Sequence, residues 1–183
     1  AEPLDLATAK TQSPAQLRAA IRQGRWDQPT AGLAPGYVQA NVVILPAADA
    51  ADFADFCEAN SQACPLIEQT DVGSPEPAAS AAGADLRTDG PRYRVVRRGL
   101  PQPPDPTDVR DLWRDDLVGF LLGCSFTFER ALIEAGLEVR HQRLGSNVPM
   151  YRTSRACRSA GKFAGPLVVS MRPFVPAVID EVV

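Results

Sequence analysis

Residues 117–129 read L-V-G-F-L-L-G-C-S-F-T-F-E, a nearly unbroken apolar run that passes directly into a thiol, two hydroxyls and a carboxylate. Whether one helix runs through this stretch decides the fold. Leu117, Leu121, Cys124, Phe128, Leu132 and Ala135 recur every three or four positions, which predicts a helix following Asp115-Asp116 and stopping at Gly136. Gly123 lies inside it and costs about 1 kcal/mol relative to alanine, so the alternative is a break at Gly123-Cys124-Ser125 with a fresh helix from about Ser125. The two readings assign different chemistry. In a continuous helix Cys124 is an inert core thiol. A helix starting at Ser125 offers unpaired backbone N–H groups and a positive dipole end to a thiolate or a substrate anion, with Ser125 and Thr127 as caps and Glu129 in the favoured first turn.

Downstream, residues 138–143 read as a strand carrying His141, the only histidine of the chain. It is the one side chain that titrates near neutrality without help, so histidine-based proton transfer must use it. Val139 shares its face. Asn147, Tyr151 and Arg152 then form a polar cluster suited to orienting a small polar substrate. Further strands are expected near residues 150–153 and at 166–171, with a helix beginning at about Val175.

Upstream, residues 1–12 read as a polar tail. Ser13-Pro14 supplies an N-cap and a proline at the first helical position, Leu17 and Ile21 share a face, and Gly24 is a stop. Residues 37–45 form an apolar run bounded by Pro46 that reads as a buried strand. Asp49 opens a helix to Asn60 with Phe53, Phe56 and Cys57 inward. The Pro-, Ser-, Gly- and Ala-rich residues 70–84 read as a surface loop or lid, and residues 93–98 alternate as a strand.

With 183 residues and 45% hydrophobic content, the chain can bury a full core, one α/β domain over residues 13–183. A net charge of -3 gives no general case for nucleic acid or an anionic membrane. Yet fourteen of the nineteen Lys and Arg residues fall within residues 92–172, against eight acidic ones, so the second half suits small anions. Arginine outnumbers lysine seventeen to two, and its planar fork grips carboxylates with two bonds. Arg87, Arg92 and Arg94 are candidate clamps. Four cysteines without a CxxC pair, and a single histidine, make a poor metal set. The expectation is a cytoplasmic protein with reduced thiols, no metal, no cofactor, no nucleic-acid or membrane partner, and a homo-oligomer left open.

Several runs together resemble a known family. W-D-Q-P-T-A-G-L-A-P-G-Y-V-Q-A-N-V-V-I-L-P from Trp26, A-D-L-R-T-D-G-P-R-Y-R-V from Ala84, L-W-R-D-D-L-V-G-F-L-L-G-C-S-F-T-F-E from Leu112, N-V-P-M-Y-R-T from Asn147 and G-P-L-V-V-S-M-R-P from Gly165 are similar, in order, to the D-glutamate cyclase or hydro-lyase family. Gln28 stands where glycine is expected, Gly90 replaces a larger apolar residue, and Ser154-Arg155-Ala156 departs from the usual continuation. The resemblance implies an α/β fold, a mixed sheet with flanking helices in two interleaved lobes, and loss of water from a small carboxylate such as D-glutamate to give 5-oxo-D-proline. It also implies that the family continues past Val183, making this chain a C-terminally shortened version.

Residue chemistry alone suggests the roles. His141 or Glu129 moves protons, Ser125 and its backbone together with Asn147 polarise the attacked carbonyl, and Arg92 and Arg152 clamp carboxylates, with Tyr151 and Thr127 beside the substrate. The rivals are a non-catalytic binder of small carboxylates and, last, a cysteine hydrolase built on Cys124.

Overall fold

The computed structural model describes residues 2–182, apart from the side chains of Thr127 and Glu181. The chain forms two compact units, each assembled from two stretches: residues up to Ala51 with Leu66–Gly123, and Asp52–Pro65 with the residues from Cys124 onward. Helices and antiparallel strand pairs make up both, a mixed α/β composition.

The first unit opens with α1 (Leu6–Thr11), where a patternless tail was expected. Asp5 caps it by accepting from the Thr8 N–H at 2.9 Å, and Ala9 is buried with Leu17, Ile21, Trp26 and Leu33. A single small residue anchors this helix, too weak a pattern to stand out in sequence. α2 (Pro14–Arg22) starts where Ser13-Pro14 places it, with a full capping box closed by Gln16. β1 (Ala40–Pro46) leads into α3 (Ala47–Ala59), and β2 (Leu66–Gln69) follows. The apolar run at residues 37–45 is not a buried strand throughout: Tyr37 and Val38 are exposed ahead of β1, which is an edge strand and at best half-buried. The alternating stretch at 93–98 shrinks to the two residues of β3 (Val96–Arg97), paired with β4 (Leu100–Pro101).

Residues 117–123 are a strand, β5 (Leu117–Gly123), and not the first half of a helix. It is the middle strand of the order β1-β5-β2, antiparallel to both neighbours. A centre strand covered on both faces needs no polar alternation, so Leu117, Val118, Phe120 and Leu121 are all buried, and such a run shows the same three-to-four spacing as a helix. The loop over residues 70–84 is pinned rather than free. Thr70 is buried and its hydroxyl accepts from Gly119 N–H at 2.9 Å, Trp113 donates to the Gly73 carbonyl at 3.0 Å, and the Glu68 carboxylate accepts from the N–H groups of Ala79 and Ser80 at 3.0 and 2.7 Å.

In the second unit α4 (Phe126–Glu134) is followed by α5 (Arg140–Arg143), then by the antiparallel pair β6 (Met150–Ala156) and β7 (Pro166–Ser170), and by α6 (Ile179–Val182). Residues 138–143 are thus a turn of helix and not a strand. Leu132, Leu137 and Val139 bury themselves there against Phe174, Val178 and Val182, and that packing replaces any strand partner. Phe53, Phe56 and Phe163 pack as an aromatic group in the same unit.

Candidate functional site

The break at Gly123-Cys124-Ser125 sets up the site. Ser125 occupies the N-cap position of α4 but makes no side-chain cap bond. Its hydroxyl turns instead to Ser170 Oγ at 3.1 Å and to Arg172 Nη2 at 3.1 Å. Ser170 is the last residue of β7 and Arg172 stands two residues beyond it, and both reach Ser125.

One turn into α4 stands Glu129, only 2% exposed. Sequence reading placed Glu129 in the first turn and turned Phe128 inward; the structure buries Glu129 and leaves Phe128 47% exposed. Burying an ionised carboxylate is costly unless charge and hydrogen bonds meet it. Arg172 supplies both. Its Nε donates to Glu129 Oε1 at 2.8 Å and its Nη2 to the same oxygen, while Nη1 reaches Ser170 Oγ at 2.9 Å and Nη2 also reaches the Ser125 carbonyl at 3.3 Å. The guanidinium is itself nearly buried.

The short helix α5 brings two more groups to the same carboxylate. His141 Nε2 lies 3.1 Å from Glu129 Oε1, and Gln142 Nε2 donates to Glu129 Oε2 at 2.6 Å. His141 is 7% exposed, and its carbonyl accepts from Ser146 N–H at 2.9 Å, which fixes the turn beneath it. With three donated hydrogen bonds on its two oxygens and His141 Nε2 close by, Glu129 is an orienting group rather than a mobile base. A carboxylate set against one ring nitrogen is an arrangement that orients the imidazole of a working histidine.

Ser125, Glu129 and His141, singled out in sequence, therefore meet in one cluster. Arg172, Ser170 and Gln142 complete it and were missed. Their signal was present: Ser170 and Arg172 stand at strand spacing inside the G-P-L-V-V-S-M-R-P run, and Gln142 adjoins the only histidine. The other candidates fall elsewhere. Arg152 pairs with Val168 and Met150 with Ser170, so Arg152 shares the hairpin face of Ser170, while Tyr151, opposite Val169, points to the other face. Both are exposed, as is Asn147 in the loop before β6. Arg92 belongs to the first unit and is ion-paired with Asp27. The Thr127 side chain lies outside the described residues.

All four cysteines are unbridged, and burial pushes the Cys57 thiol up, with Cys64 adding to it. Among the described residues no group of three or more His, Cys, Asp or Glu side chains could hold a metal ion, and no helix is long and apolar enough to cross a membrane.

Residues 118–183, which contain every member of this cluster, match the D-glutamate cyclase family. A protein of Rubrobacter xylanophilus named "Putative hydro-lyase" is 59% identical over 169 residues, which is 92% of this chain and 65% of that protein. Another of the same name from Stutzerimonas stutzeri is 54% identical over 171 residues, covering 93% of this chain and 64% of its own length. The chain spans slightly under two thirds of the length of these relatives.

Proposed function

We propose that the chain carries the acid–base centre of a hydro-lyase acting on a small amino dicarboxylate, of the type that closes D-glutamate to 5-oxo-D-proline. The observation that carries this reading is the buried Glu129 carboxylate, fixed by Arg172 and Gln142 with His141 Nε2 against the same oxygen. In the reaction the amine nitrogen attacks the γ-carboxyl carbon, a C–N bond forms, a C–O bond breaks and one water leaves. With the γ-carboxyl group protonated and the amine neutral, His141 takes the one proton that the nitrogen gives up and returns it to the departing hydroxyl, which leaves as water, work that in general contributes roughly 10²–10⁴-fold in rate. The Ser125 and Ser170 hydroxyls, held by Arg172, stabilise the oxyanion formed at the attacked carbon.

Purified protein incubated with D-glutamate and followed by NMR is expected to accumulate 5-oxo-D-proline, and His141→Ala to lose at least about a hundredfold in kcat. Absence of turnover by folded protein, or full activity in His141→Ala, defeats the proposal. A second reading draws on the same fixing of Glu129: with its carboxylate held by Arg172 and Gln142, the cluster is also a fitting scaffold for a non-catalytic carboxylate binder. Glutamate binding without turnover identifies that case.

A further inference from the structure

In the first unit a cavity of ≈ 530 Å³ lies between α2 and the loops that carry Asp85, Arg87, Thr107 and Asp108. Three guanidiniums line it, those of Arg22, Arg87 and Arg110. Each is held along one edge by a carboxylate. Asp85 accepts from Nε and Nη2 of Arg87, both at 2.9 Å, Asp108 accepts from Nε and Nη2 of Arg110 at 2.9 and 2.6 Å, and Asp89 takes the same two nitrogens of Arg22. Among the described residues every hydrogen bond of these three side chains uses Nε or Nη2. The Nη1 group keeps both of its donors.

That arrangement is suited to gripping a second oxyanion. A guanidinium whose orientation is already fixed loses little freedom on binding, and its Nη1–Nη2 end is a fork that matches a carboxylate with two parallel bonds. Arg18, one turn before Arg22 on α2, shares Asp89 through an Nε that lies 3.5 Å away and has no hydrogen-bond partner. Asp111 also acts on Arg110, so the carboxylates of Asp85, Asp89, Asp108 and Asp111 balance the four guanidiniums, and the unbonded Nη1 donors are what an oxyanion would use. The volume is in the range of small-molecule sites and far exceeds what one inorganic ion needs.

We infer that this cavity binds a small dicarboxylate, held by the free Nη1–Nη2 edges of Arg87 and Arg110 and by Nη1 of Arg22, whose Nη2 is taken up by Asp89 and the Gly83 carbonyl. None of these residues belongs to the Glu129 cluster, so the inference does not rest on the hydro-lyase reading. Calorimetric titration of the full chain at low salt with glutarate, and separately with inorganic phosphate, tests it. Glutarate is expected to bind, phosphate more weakly, and Arg110→Gln to weaken glutarate about tenfold, the loss of one charge-assisted pair. Arg110 is well exposed, so this variant keeps its fold; Arg87→Gln is expected to act in the same direction. His141→Ala is expected to bind glutarate as tightly as the parent. No glutarate binding, equal affinity in Arg110→Gln, equal affinity for phosphate, or loss of binding in His141→Ala each overturns the assignment.

Discussion

Glu129 depends on a residue forty-three positions away. Arg172 meets its charge, Gln142 donates to its other oxygen, and His141 Nε2 lies 3.1 Å away. Removing one partner of a buried ion pair strands the other, at a cost of roughly 3–5 kcal/mol. Glu129→Gln is therefore expected to lower the urea midpoint by an amount in that range, because the Arg172 guanidinium stays buried. It should also cut turnover of D-glutamate. A Glu129→Gln midpoint within about 0.5 kcal/mol of the parent would show that the pair is solvated in solution. Gly90, a departure from the family runs, has a local explanation. A Cβ there would meet the Tyr93 ring at 2.9 Å, and the Gly90 N–H donates to Tyr93 Oη at 2.8 Å.

At the scale of elements, β5 is the chief lesson. Its periodicity fits helix and strand alike, and the pairing with β1 and β2 decides between them. Gly119 shows how tightly that strand is packed: a Cβ would lie 2.3 Å from Leu86 Cδ1 and 3.3 Å from Thr70 Cγ2. Gly119→Ala is expected to destabilise by about 1–3 kcal/mol, as overpacking does. Gly165→Ala, with nothing within 4 Å, should be near neutral in the same denaturation series; equal effects at the two sites would refute the packing account. α2 was legible because its cap, proline and apolar pair are local signals. α5 was not, since four residues hold no helical period and tertiary packing alone forms it.

For the whole molecule, every stretch of the first unit lies before Cys124, whereas the second unit needs both Asp52–Pro65 and the chain from Cys124 onward. A fragment of residues 1–123 is therefore expected to retain the first unit's fold, and residues 124–183 alone to remain unfolded. Tyr93 provides the readout. Burial, reinforced by the charges of Asp89, Asp85 and Asp108, outweighs the Gly90 hydrogen bond and pushes its phenol up to about 12. A phenol raised in the folded state adds stability below its unfolded value of roughly 10, and that stability is lost as pH rises from there toward 12. Ultraviolet titration of the fragment should show one late-ionising tyrosine; ionisation of all near 10 would mean that the unit has not formed.

Capping at Ser13 and the family runs followed from the sequence by itself, because each depends on neighbours within a few residues, while the break at Gly123-Cys124-Ser125 stood there as one of two open readings. The same local reading picked out Ser125, Glu129 and His141. Tertiary structure alone decided that residues 117–123 are a central strand, that Glu129 is buried while Phe128 is not, and that Arg172 and Gln142 complete the cluster. The physical reason is common to all three. Burial and charge pairing are set by groups distant in the chain, and no local period records where those groups will fold.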